Sequence, residues 1–397
     1  MAGVADKARF YLERSVPQLR EWEEKEIFNK DEIRSIVQKR NDYEHRVLSP
    51  GSKPTLWSDY AHWERSLESL RSKRCQRLKI RHLNSAYAGQ ARVLSIYERG
   101  VSKHPNSPDL WREYLSYTDS VKAAKRWRKT MTNALRMMPN DPELWIMAGR
   151  RSAKNGDMPS ARGFFMRGCR FCTKDGTLWT EYARCEMEWL EKVEKRKKRP
   201  GSDPLEIERK DRDDDELIIE DSGDDEDEEG GAVLPRPSKE QAKVIDKQSA
   251  QQLANNPAMD GAIPMAIFDI ARKQPFFNAE VAEQFFNVFT TFNDVPAKSR
   301  ISEHVLDTMD REYAGHPATG NCHIRQPIIA VDHRTAEFAR GLRESLGMLQ
   351  TYLASTTDAE ELKGKTATWI EGYLAIDGLD EGIRAVLEHT LKKVTQP

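Results

Sequence analysis

The sequence predicts an all-α protein: a superhelical solenoid of helical hairpins, interrupted by a disordered acidic insert. Three observations predict it. Leu-Trp returns at one interval, in "HPNSPDLW" ending at Trp111, "MPNDPELW" ending at Trp145 and "CTKDGTLW" ending at Trp179, each 34 residues apart. A second series, Tyr97, Met131 and Phe165, runs at the same period. No segment alternates apolar and polar residues as a half-buried strand would. Two helices per period cannot bury their apolar faces alone, so neighbouring hairpins must stack.

Residues 1–53 precede the repeats as an N-terminal helical segment. Asn29 followed by Glu32 reads as a capping-box-like start, and Ile33, Ile36, Val37, Tyr43 and Val47 mark one face of the helix it opens. Residues 54–194 form the repeat array. Pro54, Pro108 and Pro142 stand three residues before Trp57, Trp111 and Trp145, and Gly176 takes that place before Trp179. Ser107, Asp141 and Asp175 come immediately before, as N-cap residues do; proline suits the first helical position because the N–H it lacks has no partner there. Each Trp therefore enters a first turn, with Tyr60, Tyr114, Ala148 and Tyr182 three residues on, sharing its face. The spacing of Val93, Ile96 and Tyr97, and of Ala161, Phe164 and Phe165, marks the second helices. The expected repeat core is Trp57, Tyr60, Tyr97, Trp111, Tyr114, Met131, Trp145, Phe165, Trp179 and Tyr182. An aromatic stripe at helical spacing is core rather than a binding face. From Trp57 to Trp111 the interval is 54, one period plus 20, and the extra length falls around "LRSKRCQRLKIRHLN".

Residues 195–260 read as a linker. Residues 203–229 hold 16 Asp/Glu against 3 Lys/Arg; the remaining chain has 60 Lys/Arg against 48 Asp/Glu, so a basic body carries one intensely acidic tract. That linker has too little apolar surface to offset its chain entropy and is expected to be disordered. Its start, Lys195, Arg196, Lys197, Lys198 and Arg199, is a candidate nuclear localisation run, and Ser222 a candidate site for an acidophilic kinase. Helical patterning resumes over residues 261–397 with irregular spacing, and Trp369 with Tyr373 is expected to open another first helix.

Composition and motifs argue against reaction chemistry. Mean hydropathy is -0.75, with 32% charged residues, and no apolar run is long enough to span a membrane. The N-terminus "MAGVADKARF" has neither the apolar core of a signal peptide nor a myristoylation pattern. Five scattered cysteines form no disulfide framework, which suits a reducing compartment. Gly364-Lys365-Thr366 resembles the end of a phosphate loop, but Ala359 stands where the loop needs its first glycine. Cys169 and Cys172 have the spacing of half a zinc site inside a second helix, with no second pair. His316, Cys322 and His323 cluster in what reads as a turn. No catalytic, metal or cofactor residues are therefore expected, nor a small-molecule substrate. Two basic stretches are candidates for phosphate contact. Arg74, Arg77 and Arg81 would share a face if their segment were helical; Lys125 and Arg128 lie in the run from Lys122 to Lys129 around Trp127, a core position.

Trp-x-x-Tyr in first helices, then Ala-Arg-x-Phe-Phe-x-Arg from Ala161 to Arg167, resembles the half-a-tetratricopeptide (HAT) repeat of RNA-processing complexes. A tetratricopeptide repeat proper would place Leu-Gly after its Trp, and none of the four sites has it. Ahead of the repeats, residues 14–47 resemble the U3 small nucleolar RNA-associated family of the Utp-six type. The likeness centres on Glu23 to Phe28, on Asp31-Glu32-Ile33, and on Asp42-Tyr43-Glu44-x-Arg46-Val47, and extends over residues 1–190. Ala148, where the repeat carries Tyr, departs from the pattern and implies looser local packing. The resemblance implies a nucleolar, non-catalytic scaffold of the small-subunit processome. Its partners would be β-propeller (WD-repeat) proteins and the U3 snoRNA/pre-rRNA particle, its task 18S rRNA and 40S maturation. Alternatives are a HAT scaffold in splicing or mRNA 3′-end processing, or a direct RNA-binding repeat protein. The N-terminal run argues against the former, and the lack of a base-reading code at fixed repeat positions against the latter.

Overall fold

The computed structural model describes residues 3–197, 261–329, 331–376 and 378–395; Lys198, Arg199, Ser222 and the acidic tract lie outside them. Among the described residues there are 17 helices and no strand. They fall into two compact units divided after Leu144. The first contains α1 (Val4–Glu13), α2 (Val16–Glu24), α3 (Lys30–Leu48), α4 (Pro54–Arg77), α5 (Ala88–Lys103), α6 (Pro108–Ser120) and α7 (Ala124–Met137). The division falls in α8 (Pro142–Lys154). The second unit continues with α9 (Met158–Phe171), α10 (Thr177–Lys197), α11 (Ala262–Ala271), α12 (Ala279–Thr290), α13 (Lys298–Glu312), α14 (Pro317–Arg325), α15 (Ala336–Ser355), α16 (Ala359–Leu374) and α17 (Glu381–Thr395).

Helix starts follow the sequence. Pro54, Pro108 and Pro142 are the first residues of α4, α6 and α8. Asp141 accepts the Glu143 N–H at 3.0 Å and Asp175 the Thr177 N–H at 2.9 Å, which satisfies donors that no helical carbonyl can reach. Ser107 stands at the cap of α6, but its side chain makes no capping bond. At α3 the Asn29 N–H donates to Glu32 Oε2 at 2.9 Å. Val37, expected on the inward face of α3, is instead exposed, while Ile36 and Val47 are buried.

All ten expected repeat-core residues are buried. The reason Leu and Trp recur together lies in a residue the periodicity also marks. At Gly100 on α5, a Cβ would come within 3.2 Å of Trp57 in its own hairpin and of Leu110 in the next. At Gly168 on α9, a Cβ would come within 2.8 Å of Trp145 in its own hairpin and of Leu178 in the next. Ala134 holds the same register on α7 and is fully buried. The Trp of one repeat and the Leu of the following one thus converge on a small residue, and the Leu-Trp dipeptide serves both contacts. Ala148 is fully buried, and beside it Gly149 lies against Phe165, which stacks on Tyr182 at 5.1 Å.

The additional 20 residues have a clear destination. Most lengthen α4 to 24 residues against 13 in α6 and α8, and most of the rest form the 78–87 connection. Lys79, with φ of 56°, lies in the left-handed region just beyond α4 and takes the chain off the helical path. In the second unit, Phe268, Phe285, Phe286 and Phe289 build one core across α11 and α12, and Phe338, Leu342, Ile370 and Leu387 build another across α15, α16 and α17. Lys365 ties α16 to α12 through Glu280 and Glu283, each at 2.7 Å.

Several local expectations change here. Gly364-Lys365-Thr366 is mid-helix in α16, where backbone N–H groups are already committed and cannot cradle phosphate. Trp369 and Tyr373 lie in the last turns of that helix rather than in a first turn. His316 caps α14, and Cys322 and His323 belong to the helix, not to a turn. Cys172 is the residue that ends α9 rather than one inside it. Lys195, Arg196 and Lys197 continue α10 instead of starting a linker, with Lys195 paired to Glu191 at 3.0 Å.

Candidate nucleic-acid interface

The segment before and into the first repeat is held by charge as well as by apolar packing. Trp22, Ile27 and Phe28 are buried against Ile36, Leu67 and Cys75. Glu32 receives both guanidinium nitrogens of Arg74 at 2.7 and 2.8 Å, and Arg74 also donates to the Ile27 carbonyl at 2.9 Å and lies over the Phe28 ring. The Arg74 hydrogen bond and the Asn29 N–H hold the Glu32 carboxyl at about 2 despite the opposing effect of burial. For Glu21, burial works upward, but bonds from the Ser85 hydroxyl, the Asn84 N–H, Lys25 and the Ser85 N–H together bring it to about 2. Glu21 thereby anchors the connection that follows α4.

Deeper lies a buried ionic network. Arg40, fully buried, donates to both oxygens of Glu64 at 2.6 and 3.0 Å. Glu44, also fully buried, accepts from Arg99 at 2.8 and 2.9 Å and from the Tyr60 hydroxyl at 3.0 Å. Burial, then the charges of Glu44 and Glu64, pushes the Tyr60 hydroxyl well above its ordinary range. Burial first, and the nearby Arg40 charge next, lowers the pKa of Arg92. The Glu44 and Glu32 of the quoted motifs are therefore structural: one joins α3 to α4 and α5, the other α3 to α4.

The basic candidates separate on this geometry. Arg74 is occupied by Glu32. Arg77 is the last residue of α4 and Arg81 lies past its end, so Arg74, Arg77 and Arg81 do not share a helix face; Arg77 and Arg81 are exposed. On the outward side of α4, His62, Arg65, Ser66, Ser69, Leu70 and Lys73 line a groove of about 540 Å³. Lys125 and Arg128 are exposed on α7, joined there by exposed Lys129 and Arg136, and among the described residues none of these four has a carboxylate within ion-pair distance. In the sequence Lys129 stands only within a charge run and Arg136 outside it; what sets both apart is the complete absence of Asp and Glu from α7. Among the described residues no group of His, Cys, Asp and Glu could hold a metal ion, and no helix is long and apolar enough to cross a membrane.

Stacked helical hairpins and a charge-pinned N-terminal segment define a HAT-like helical-repeat protein. Residues 12–93 match the family model described as U3 small nucleolar RNA-associated protein 6. A U3 small nucleolar RNA-associated protein 6 from Schizosaccharomyces pombe is 33% identical over 193 residues, 48% of this chain and 40% of that protein. The Homo sapiens homolog is 26% identical over 203 residues, 50% of this chain and 34% of its own length. The N-terminal half of the chain is thus similar to proteins of the U3 small nucleolar RNA-associated protein 6 type, in the region its motifs pointed to. The matched part spans well under half the length of these curated relatives.

Proposed function

We propose that the chain is a non-catalytic scaffold subunit of a U3 small nucleolar ribonucleoprotein assembly, acting in pre-ribosomal RNA processing and maturation of the small subunit. The observation that supports this most strongly is the match of residues 12–93 to a U3 small nucleolar RNA-associated family. Two motif carboxylates within it, Glu32 and Glu44, are spent on holding α3 to α4 and α5, and stacked hairpins offer extended helix faces as the means of action. Nucleolar residence follows from the same reading, with Lys195 to Arg199 as the proposed import signal and β-propeller proteins as proposed neighbours. Affinity purification of the tagged full chain from nuclear extract tests it. U3 snoRNA should be enriched, and propeller proteins should stay bound after nuclease. Recovery of spliceosomal or 3′-end-processing proteins without U3 snoRNA would sink the proposal.

A further inference from the structure

We propose that α7 is a direct contact for the phosphate backbone of RNA; the inference rests on the assembly reading above and names the surface and its ligand chemistry. The five basic side chains of α7, Lys125, Arg126, Arg128, Lys129 and Arg136, share the helix with no Asp or Glu; Arg126 faces Glu98 of α5 at 3.6 Å, and the exposed four are the ones that matter here. Three features of that arrangement oppose helix stability. Lys125 and Arg126 lie in the first turn, where the backbone N–H groups make the helix end positive and favour anions. Lys125 and Lys129 are one turn apart on the same face and repel, and Arg128 is three residues from Lys125. No carboxylate on the helix offsets these three effects, and Glu98 from α5 reaches only Arg126 among the five. Every one of these costs could be removed by a surface substitution that leaves the core untouched, because the packing face is Trp127, Thr130, Met131, Ala134 and Leu135. Local rules broken together on an exposed face mark a surface whose charge is used.

The geometry fits a polyanion strand. Lys125, Arg128, Lys129 and Arg136 are exposed along a stripe of about 16 Å, taking the helical rise per residue. Exposed Thr132 and Asn133 sit between them and add uncharged hydrogen-bonding groups. Arginine supplies forked donors that match phosphate oxygens, and lysine a mobile point charge. The α4 surface is the weaker rival: Arg74 is neutralised by Glu32, His62 lies 3.6 Å from Glu113, and Arg65 lies over the Tyr117 ring.

The test measures binding of the full chain to a single-stranded RNA oligonucleotide across a salt series, with polyglutamate as the competing polyanion. Lys125, Arg128, Lys129 and Arg136 are changed together to Ala in one variant; Lys73 and Arg77 in another. For the α7 variant, affinity at low salt should fall at least tenfold, and the slope of log affinity against log salt should flatten by about 2–3, at roughly 0.7 per phosphate contact. Its melting temperature should equal or exceed that of the unaltered chain, because repulsion has been removed. The α4 variant should stay within threefold. A variant with Lys125→Arg and Lys129→Arg should keep binding. Unchanged affinity and slope in the α7 variant would overturn the proposal, as would tighter binding of polyglutamate than of RNA. If the unaltered chain binds RNA through α7 yet fails to recover U3 snoRNA from cells, the surface stands and the assembly reading falls.

Discussion

At single residues, the small position opposite each Leu-Trp gives the sharpest stability predictions. Gly168→Ala would put a methyl 2.7 Å from Trp145 Cγ, whereas Gly100→Ala meets its neighbours at 3.2 Å. Alanine gains up to about 1 kcal/mol over glycine within a helix. Overpacking costs about 1–3 kcal/mol, so Gly168→Ala should be net destabilising and Gly100→Ala close to neutral. Chemical denaturation of the two variants gives the order directly; the reverse order would refute this account of why Leu and Trp travel together. Trp145→Ala should cost about 3–5 kcal/mol by opening the same contact from the other side. Glu44→Ala should cost a similar amount, about 3–5 kcal/mol, because it strands Arg99 without its buried partner. A Glu44→Ala chain as stable as the original would show that the network carries no stability.

At the level of elements, the pairing of α3 with α4 and of α2 with the 78–87 connection depends on two carboxylates, which makes it sensitive to acid. Glu21 and Glu32 both titrate at about 2 in the folded chain, below their ordinary value of 4.5. Folded-state pKa values below the unfolded ones mean that the unfolded chain takes up protons first as pH drops. The stabilisation from both groups is therefore complete above about pH 4.5 and is lost progressively toward pH 2. A Glu21→Gln/Glu32→Gln chain should melt below the original at pH 7, and the difference should narrow below pH 4.5. A gap that stays constant down to pH 3 would mean that these groups are not held as described.

Across the whole molecule, what was legible followed from periodicity. Trp, Tyr and Phe at a fixed interval behind proline can be read without a structure, because proline and a capping carboxylate act locally. Pairings between distant positions were not legible. Glu44 finds Arg99, and Glu32 finds Arg74, only after hairpins have stacked, so a motif that named these residues could not say that they were structural. The same gap misplaced Arg81 on a helix that Lys79 ends, and Trp369 at the start of a helix it nearly finishes. Exposure, which separates the α7 cations from the occupied Arg74, likewise depends on which neighbours fold alongside.

The central claim is that this chain serves the small-subunit branch of ribosome assembly by holding partners in place. Depleting it from cells and quantifying ribosomal RNA precursors by hybridisation tests that most directly. The account predicts less mature 18S rRNA and accumulation of precursor uncut on the small-subunit side, with large-subunit rRNA production continuing, and rescue by the full chain. Normal 18S levels after depletion, with splicing or polyadenylation disturbed first, would contradict it.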